Sequence, residues 1–582
     1  MSVNIKINGM PLSVPEGTTI LEAARSCGIE IPTLCHLKDL NEIGACRMCV
    51  VEVKGARSLV AACVYPVNEG MEVFTSTKKV LDSRKKTLEL ILSNHDRSCL
   101  SCIRSGNCEL QTLSKQLGVE DAGKYDGVKQ QFDIDASAPH MVRDNNKCIL
   151  CRRCVAACRN QFVGVIGARD RGFNTSIGCA FEDDLNNSAC ISCGQCIVAC
   201  PTGALHEKDQ VDEVIEAIND PEKVVIVQTA PSIRATLGEC FGMEIGTNVE
   251  GKMVAALRRL GFDKVFDTNF TADLTIMEEA NELVERVKNG GALPLITSCS
   301  PGWVKFCETY HPELIENLSS CKSPQQMFGA IIKTWYAETN GIDPKNIFSV
   351  SIMPCTAKKF EVNRDDQAAA GKGMPDVDVA LTTRELGRMI EKAGINFKLL
   401  PDEAFDNPLG EASGAGVIFG ATGGVMEAAL RTAVETLTGK ELDNVDFEAV
   451  RGTAPIKEAT LKVGDMDVKV AVASGAAAAN VIMQKIKAGE KYHFVEIMGC
   501  PGGCVNGGGQ PTQPAAVRSF VDLKALRSKA LYDADKANAV RKSHENPMIK
   551  KLYAEYLEKP GSHKAHKILH TSYKDRSEDY VK

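Results

Sequence analysis

Apolar and polar residues alternate from the start of the chain: Val3, Ile5 and Ile7, a turn at Asn8-Gly9, then Leu12 and Val14. A period of two interrupted by Asn-Gly predicts a β-hairpin. Thr19 with Glu22 three residues later predicts a capped helix over Ile20 to Cys27. Residues 79–125 read as mainly helical and residues 126–140 as a polar linker. From residue 210 the pattern becomes short apolar runs separated by helical stretches. Five runs, Val224–Val227, Leu293–Ile296, Phe348–Met353, Val377–Leu381 and Phe494–Met498, each end in a loop. The loops read Thr229-Ala230-Pro231-Ser232, Thr297-Ser298-Cys299-Ser300-Pro301, Pro354-Cys355, Thr382-Thr383-Arg384-Glu385 and Gly499-Cys500-Pro501-Gly502-Gly503-Cys504. The fourth is a capping box that opens a helix. Open α/β sheets bind ligands beyond the carboxyl ends of their strands, so these loops are expected to converge on one buried site. A helix over Met277 to Lys288 places Glu279 and Glu282 on one side. By themselves the two read as a solvated acidic face.

The cysteines bring in chemistry. Cys148-x2-Cys151-x2-Cys154-x3-Cys158 is repeated as Cys190-x2-Cys193-x2-Cys196-x3-Cys200. This is the spacing of a two-cluster ferredoxin, in which the fourth cysteine of each run ligates the other run's [4Fe–4S] cluster. Structural zinc takes four ligands in separated pairs and has no use for the middle cysteine of either run. Only the second run ends in proline, Pro201; Arg159 follows the first. Upstream, Cys35, Cys46, Cys49 and Cys63 lie in a small β-rich segment. Their spacing departs from the plant-type arrangement but suits a [2Fe–2S] centre, with a zinc site as the alternative. His95-x3-Cys99-x2-Cys102-x5-Cys108 offers one imidazole and three thiolates, a cluster site with one less negative charge. Cys27, Cys179, Cys240, Cys307 and Cys321 read as small buried hydrophobes.

Composition narrows the class. Of 24 cysteines among 582 residues, 17 precede residue 201, a density that in a large cytosolic protein means metal ligation rather than disulfides. A formal net charge of −7 does not suggest nucleic acid, which requires a basic face. No apolar run reaches the ~18 residues of a membrane span, and the first residues carry no export signal. The expected location is cytoplasmic.

Three of the loops resemble, nearly residue for residue, the signatures of the [FeFe]-hydrogenase family. They are Thr297-Ser298-Cys299-Ser300-Pro301-Gly302-Trp303, Met353-Pro354-Cys355-Thr356-Ala357-Lys358-Lys359-Phe360-Glu361, and Glu496-x-Met498-x-Cys500-x3-Cys504-x2-Gly507-Gly508-Gly509-x-Pro511. The upstream cluster motifs keep the order of the long clostridial-type members. The whole is most similar to the hydrogenase subunit of NAD(P)-linked, often electron-bifurcating, complexes, and the first 125 residues also resemble the iron–sulfur subunit of respiratory complex I. The resemblance implies a multidomain α/β chain: a β-grasp [2Fe–2S] domain over 1–78, a small helical His/Cys3 domain and linker over 79–140, a two-[4Fe–4S] ferredoxin domain over 141–209, and an α/β catalytic domain over 210–582. It implies one [2Fe–2S], three accessory [4Fe–4S] clusters and an H-cluster, a cubane joined to a diiron unit carrying CO, cyanide and a bridging dithiolate.

Carried over residue by residue, Cys355, Cys500 and Cys504 match cubane ligands, with Cys504 the bridging thiolate. Lys358, Ser232 and the Pro231 backbone match groups that hold cyanide; a buried ammonium needs an anionic partner, and metal-bound cyanide is one. Met353, Phe419 and Met498 match the lining of the diiron pocket. Cys299, Glu279, Ser319 and Glu282 match a proton path, which turns the acidic face into a relay. Gly502-Gly503 and Gly507 to Gly509 are expected to let the backbone approach the cofactor. The implied reaction interconverts 2 H⁺ + 2 e⁻ with H₂. The implied partners are ferredoxin and/or a flavin-containing NAD(P)-binding subunit in a hetero-oligomer. A hydrogen sensor and an electron-carrier subunit are the alternatives; Cys299 speaks against the first and the Cys500/Cys504 pair against the second.

One position departs from the family. Its pattern has a second cysteine, a cubane ligand, directly after Cys299, and this chain has Ser300. Either the serine oxygen ligates iron, or Cys299 ligates and the proton path changes, or the chain is an altered member.

Overall fold

The computed structural model describes residues 1–580 except 443 and 465. The N-terminal hairpin pairs β1 (Ser2–Ile7) with β2 (Met10–Pro15), and the turn has positive φ at both Asn8 (50°) and Gly9 (85°). That geometry matches the twist of the flanking strands. The sheet is completed by β3 (Val50–Val53), β4 (Val60–Ala61) and β5 (Glu72–Phe74) in the order β2-β1-β5-β3-β4. Helix α1 (Ile20–Ser26) starts at the expected Thr19/Glu22 capping box and packs Ile20, Ala23 and Ala24 against Ile5, Ile7 and Val73. It stops one residue before the expected end, because Cys27 has already left helical backbone angles.

Helix α2 (Lys78–Asn94) ends where His95 turns extended, and α3 (Glu109–Gln116) follows the cysteine loop. In the double-cysteine module the two runs share one loop geometry. Leu150 and Arg152 of the first and Ser192 and Gly194 of the second all have φ between 52° and 68°. Three loop-borne thiols can then face inward from consecutive short turns. Buried Arg153 ties the three N-terminal modules together, with Nη1 2.7 Å and Nη2 3.1 Å from the Glu109 carboxylate and Nη2 donating to the His36 carbonyl at 3.0 Å. Asn41 Nδ2 donates to both the Cys35 and Cys151 carbonyls, at 2.8 and 3.0 Å.

The catalytic region holds two sheets, so the five strand ends do not belong to one. The first, all parallel, contains β6 (Val224–Thr229), β7 (Lys264–Asp267), β9 (Ile347–Met353) and β10 (Val379–Thr382) in the order β7-β6-β9-β10. Alternate side chains of β6 enter different cores, Val225 and Val227 one and Ile226 the other, which is why the run is continuously apolar. The second contains β8 (Leu295–Ile296), β11 (Ile456–Val463), β12 (Met466–Ser474) and β13 (Phe494–Met498) in the order β8-β13-β12-β11. Helix α4 runs from Asn269 to Asn289, two turns longer at its start than the sequence pattern predicts. Its first half buries polar Thr271, Asp273 and Thr275, and Asp273 accepts bonds from Ser413, Ser543 and Asn546. Helix α5 (Pro301–Tyr310) follows the Cys299-Ser300 loop, and α6 (Leu523–Ala537) anchors the C-terminal segment through buried Arg527 on Glu239, 2.7 Å. Among the described residues no helix is long and apolar enough to cross a membrane.

Arg153→Met should leave the Glu109 carboxylate and the His36 carbonyl unpaired, at a cost of about 3 kcal/mol. The expected readout is an earlier loss of iron–sulfur visible absorption on guanidinium titration. An unchanged midpoint would show that Arg153 does not hold these modules together.

Candidate active site and its chain of cysteine sets

In the β-grasp domain the four cysteines form two sulfur pairs. The Cys35 and Cys46 sulfurs each accept the other's amide at 3.4 Å, and Cys49 Sγ lies 3.3 Å from Cys63 Sγ. The bond from Cys35 pulls Cys46 down to about 6, while Cys35 is pushed up. Paired thiols of this kind suit a two-iron rhomb, one pair to each iron. His95 is buried, and burial pushes its imidazole down to about 4, so it is neutral at physiological pH; its Nδ1 has no hydrogen-bond partner. Cys102 and Cys108 are brought close enough to feel each other's charge, and Cys102 Sγ packs against Gly203, where a Cβ would fall 2.6 Å from it.

The two long runs exchange their last cysteines. Cys148, Cys151 and Cys154 line one cavity with Cys200; Cys190, Cys193 and Cys196 line another with Cys158. Burial pushes Cys148, Cys151 and Cys193 up to about 12 and Cys190 to about 11. Such thiols stay protonated at neutral pH unless a metal displaces the proton. Cys179, expected as a small buried hydrophobe, is buried with its sulfur 3.8 Å from the Arg143 guanidinium and lines neither cavity. The sequence reading missed His140, which is buried with Nε2 3.8 Å from Cys190 Sγ. The set containing Cys193 ends against the catalytic region, where Cys500 Sγ sits 3.9 Å from the Cys193 carbonyl.

All five strand-end loops meet, across both sheets. Gln510, inside the glycine-rich motif, links three of them. Its Nε2 donates to Ser232 Oγ (3.2 Å) and the Cys504 carbonyl (3.0 Å), and its Oε1 accepts from Thr236 (2.8 Å) and Thr383 (2.9 Å). Ser300 Oγ accepts the Gly499 amide at 2.9 Å, fastening the first loop to the residue before Cys500. Cys355 and Cys500 share a hydrogen bond. It holds Cys355 low, helped by Lys358 and by amides of the Ala357 turn, and pushes Cys500 up. Burial, with the neighbouring Cys355, pushes Cys504 up to about 12. Pro231, Ser232, Met353, Phe419 and Met498 are all buried around these thiols' loops. Lys358 Nζ bonds Ser323 Oγ (2.9 Å), Glu361 Oε2 (2.8 Å) and the Cys299 carbonyl (3.2 Å). The ammonium therefore has a carboxylate partner within its own motif, and cyanide is not needed to neutralise it.

Glu279 of α4 lies inside the protein and Glu282 is half-buried, so the pair is not a solvated face. Glu279 is 1% exposed, and neither carboxylate oxygen has a hydrogen bond of good geometry. Burial, reinforced by Glu282, pushes it up to about 8. Ser319 Oγ donates to Glu282 Oε2 at 2.9 Å, and Glu282 meets Arg286 at 2.7 Å, where both side chains are 15% exposed. At the inner end, burial and then Glu279 push the Cys299 thiol well above its ordinary range.

Three thiols on loops from two sheets, Cys500 buried and Cys355 and Cys504 half-buried, beside a fixed ammonium, form a donor set that fits a thiolate-bound iron cluster. Residues 223–508 match the model of the iron only hydrogenase large subunit, C-terminal domain. Residues 521–576 match the iron hydrogenase small subunit. Upstream, 1–78 match a 2Fe-2S iron-sulfur cluster binding domain, 84–122 the NADH-ubiquinone oxidoreductase-G iron-sulfur binding region, and 147–204 a 4Fe-4S dicluster domain. The chain is 49% identical to the NADP-reducing hydrogenase subunit HndD of Solidesulfovibrio fructosivorans, over 98% of each chain. The chain belongs to the [FeFe]-hydrogenase family. It is also 46% identical to iron hydrogenase 1 of Clostridium pasteurianum, over 98% of this chain and 99% of that one. A solved apo [FeFe]-hydrogenase HydA1 from Chlamydomonas reinhardtii superposes with a TM-score of 0.57 at 42% identity, covering 63% of this chain and 99% of its own. The protein is thus an iron hydrogenase, an oxidoreductase acting on hydrogen.

Within this hydrogenase the glycine-rich loop admits close approach of backbone to backbone. A Cβ on Gly507 would fall 2.2 Å from the Pro354 carbonyl, one on Gly508 2.2 Å from the Cys193 carbonyl, and one on Gly503 2.7 Å from the Thr422 amide. These glycines let protein backbones meet one another. Gln510 carries no signal except its place between Gly509 and Pro511.

Glu279 gives the hydrogenase a pH signature. Its folded value, about 8, lies above the free value of 4.5, so the folded chain keeps a proton that the unfolded chain releases. This contribution is fully present below the unfolded value, declines as pH rises, and is lost through about pH 8. Glu279→Gln, neutral throughout, should flatten that decline when denaturation midpoints are compared between about pH 5 and pH 9. Parallel curves for the two proteins would place Glu279 in contact with water.

Proposed function

We propose that electrons travel along one [2Fe–2S] and three accessory [4Fe–4S] clusters to an H-cluster, and that protons reach it through Cys299, Glu279, Ser319 and Glu282. When bound, the H-cluster supplies the redox chemistry that joins two protons and two electrons as H₂. Cys35, Cys46, Cys49 and Cys63 would hold the two-iron centre; His95, Cys99, Cys102 and Cys108 the next; and the exchanged cysteine sets the two ferredoxin cubanes. Cys355, Cys500 and Cys504 would hold the active cubane. Lys358, Ser232 and the Pro231 backbone would hold the diiron unit's cyanides, and Met353, Phe419 and Met498 would wall it off.

The observation that carries the reading is the buried, unpaired Glu279 between a high-pKa thiol and a partly exposed carboxylate. Cys299 Sγ holds a proton firmly, and Glu279, at about 8, both accepts and releases one near neutral pH. Ser319 Oγ bridges onward to Glu282, whose Arg286 partner stands at the surface. Glu279→Gln should cut turnover at least about tenfold while leaving the infrared bands of CO and cyanide nearly in place. Turnover within about twofold of the wild type would sink the relay.

HndD is named as a subunit of an NADP-reducing hydrogenase, and residues 84–122 match a region of an NADH-linked oxidoreductase. Both support a hetero-oligomer in which a flavin-containing NAD(P)-binding subunit, with or without ferredoxin, exchanges electrons at the N-terminal clusters.

For Ser300 we favour the loop-fastening role, with Cys299 kept for protons, because Ser300 Oγ already accepts the Gly499 amide. On that reading Cys299→Ala leaves the iron content of matured protein near about 20 atoms per chain and stops proton delivery. Ser300→Ala loosens the loop and lowers the yield of assembled cubane. An intact cubane in Ser300→Ala beside a lost one in Cys299→Ala would make Cys299 the ligand.

A further inference from the structure

A buried cation without an anion is costly, and proteins rarely keep one. Among the described residues, ten of the fourteen buried arginines and lysines have a carboxylate within 4.0 Å, from Arg143 on Asp135 to Lys359 on Glu385 and Arg527 on Glu239. Four do not: Arg25, Arg84, Arg104 and Lys305, which are 7%, 4%, 9% and 7% exposed. All four stand beside cysteines of the cluster sets.

Their surroundings repeat one arrangement. Arg84 spends Nε and Nη2 on the Val50 carbonyl, next to Cys49 in the chain, at 3.1 and 2.8 Å. Arg25 donates to Ser519 and leaves Nε unpartnered; it faces Glu30, beyond ion-pair distance, and then Cys49 and Cys63. Arg104 bonds the Asn107 carbonyl, its stem lies against the same Gly203 that meets Cys102, and Cys200 and Cys108 act on its charge. Lys305 stands on α5, whose Tyr310 hydroxyl donates at 3.3 Å to the Ala189 carbonyl, next to Cys190 in the chain, and its ammonium lies 4.6 Å from the Phe360 ring centre. The acids nearest Arg104 and Lys305 are already taken: Glu109 by Arg153, Glu308 by Arg364 and Arg576, and Asp579 by Arg576.

We propose that Arg25, Arg84, Arg104 and Lys305 are the counter-ions of the iron–sulfur clusters and hold up the reduction potentials of the clusters they face. The inference rests on the cysteine sets being cluster ligands. A cluster with cysteinate ligands is anionic, and reduction adds another negative charge. A fixed cation in a medium of low dielectric stabilises the reduced form more than the oxidised form. Arg84 and Arg25 act on the [2Fe–2S] centre, Arg104 on the His95 cluster and the cubane of Cys200, and Lys305 on the cubane of Cys190. The four are positioning residues that touch no substrate.

The test is a redox titration of the anaerobically matured holoenzyme, followed by electron paramagnetic resonance. The [2Fe–2S] signal is read in Arg84→Met and the cubane signals in Lys305→Met. Arg84→Met should lower the midpoint potential of the [2Fe–2S] centre alone, and Lys305→Met that of a single cubane. Arg84→Lys and Lys305→Arg should return the midpoints toward the wild type. A cluster that is present by its signal but does not move in potential overturns the proposal, as does an equal shift in every cluster. If a methionine variant loses its cluster, the charge-keeping variant decides. A cluster retained there supports the counter-ion role, and one lost there makes the role packing alone. Wild-type protein lacking these signals after maturation would instead overturn the cluster assignment itself.

Discussion

A thiolate buried in protein cannot hold its charge unless something takes it up, and the rest of this molecule is arranged around that constraint. Burial pushes nearly all the cysteines of the long runs and the catalytic loops toward the neutral thiol. Iron bound by these cysteines would displace those protons, which would couple cluster binding to folding. The same constraint explains the stiffness of the loops. Residues with left-handed backbone recur at matching positions in both ferredoxin runs, and Arg153 and Asn41 lock the carbonyls beside the sulfurs.

At the catalytic end the two sheets supply different things. The first brings the loops of Ser232 and Cys355, the second those of Cys299 and Cys500, and Gln510 and Ser300 fasten them across the gap. Lys358 is held by Glu361 and Ser323, so its direction is set by the protein. On α4, Glu279 is left without a hydrogen-bond partner while Glu278, its neighbour, is bonded by Gly561 and His570 of the C-terminal segment.

What could be read from sequence was whatever depends on near neighbours. The Thr19/Glu22 and Thr382/Glu385 caps, the Asn8-Gly9 turn and the spacing within each cysteine run are local, and the structure has them where the pattern places them. The exchange of Cys158 and Cys200 follows from the same repeat. The division into two sheets was not legible, because a run such as Phe494–Met498 carries no mark of its partner strand. The first turns of α4 were hidden because Asp273 is satisfied by residues 140 to 273 positions away. The Lys358–Glu361 pair is spaced i,i+3 within one motif and is legible as an ion pair, yet the family signature directs the ammonium to cyanide alone.

Gly508 lies flush on the Cys193 carbonyl and Gly194, and Thr356 Oγ1 donates to the Ser192 carbonyl at 2.8 Å. The wall of the catalytic pocket on that side is therefore the ligand loop of a ferredoxin cubane. A shift in the 190–196 loop would therefore be felt directly by the 504–509 loop, so the electron chain and the active-site pocket share one stretch of touching backbone.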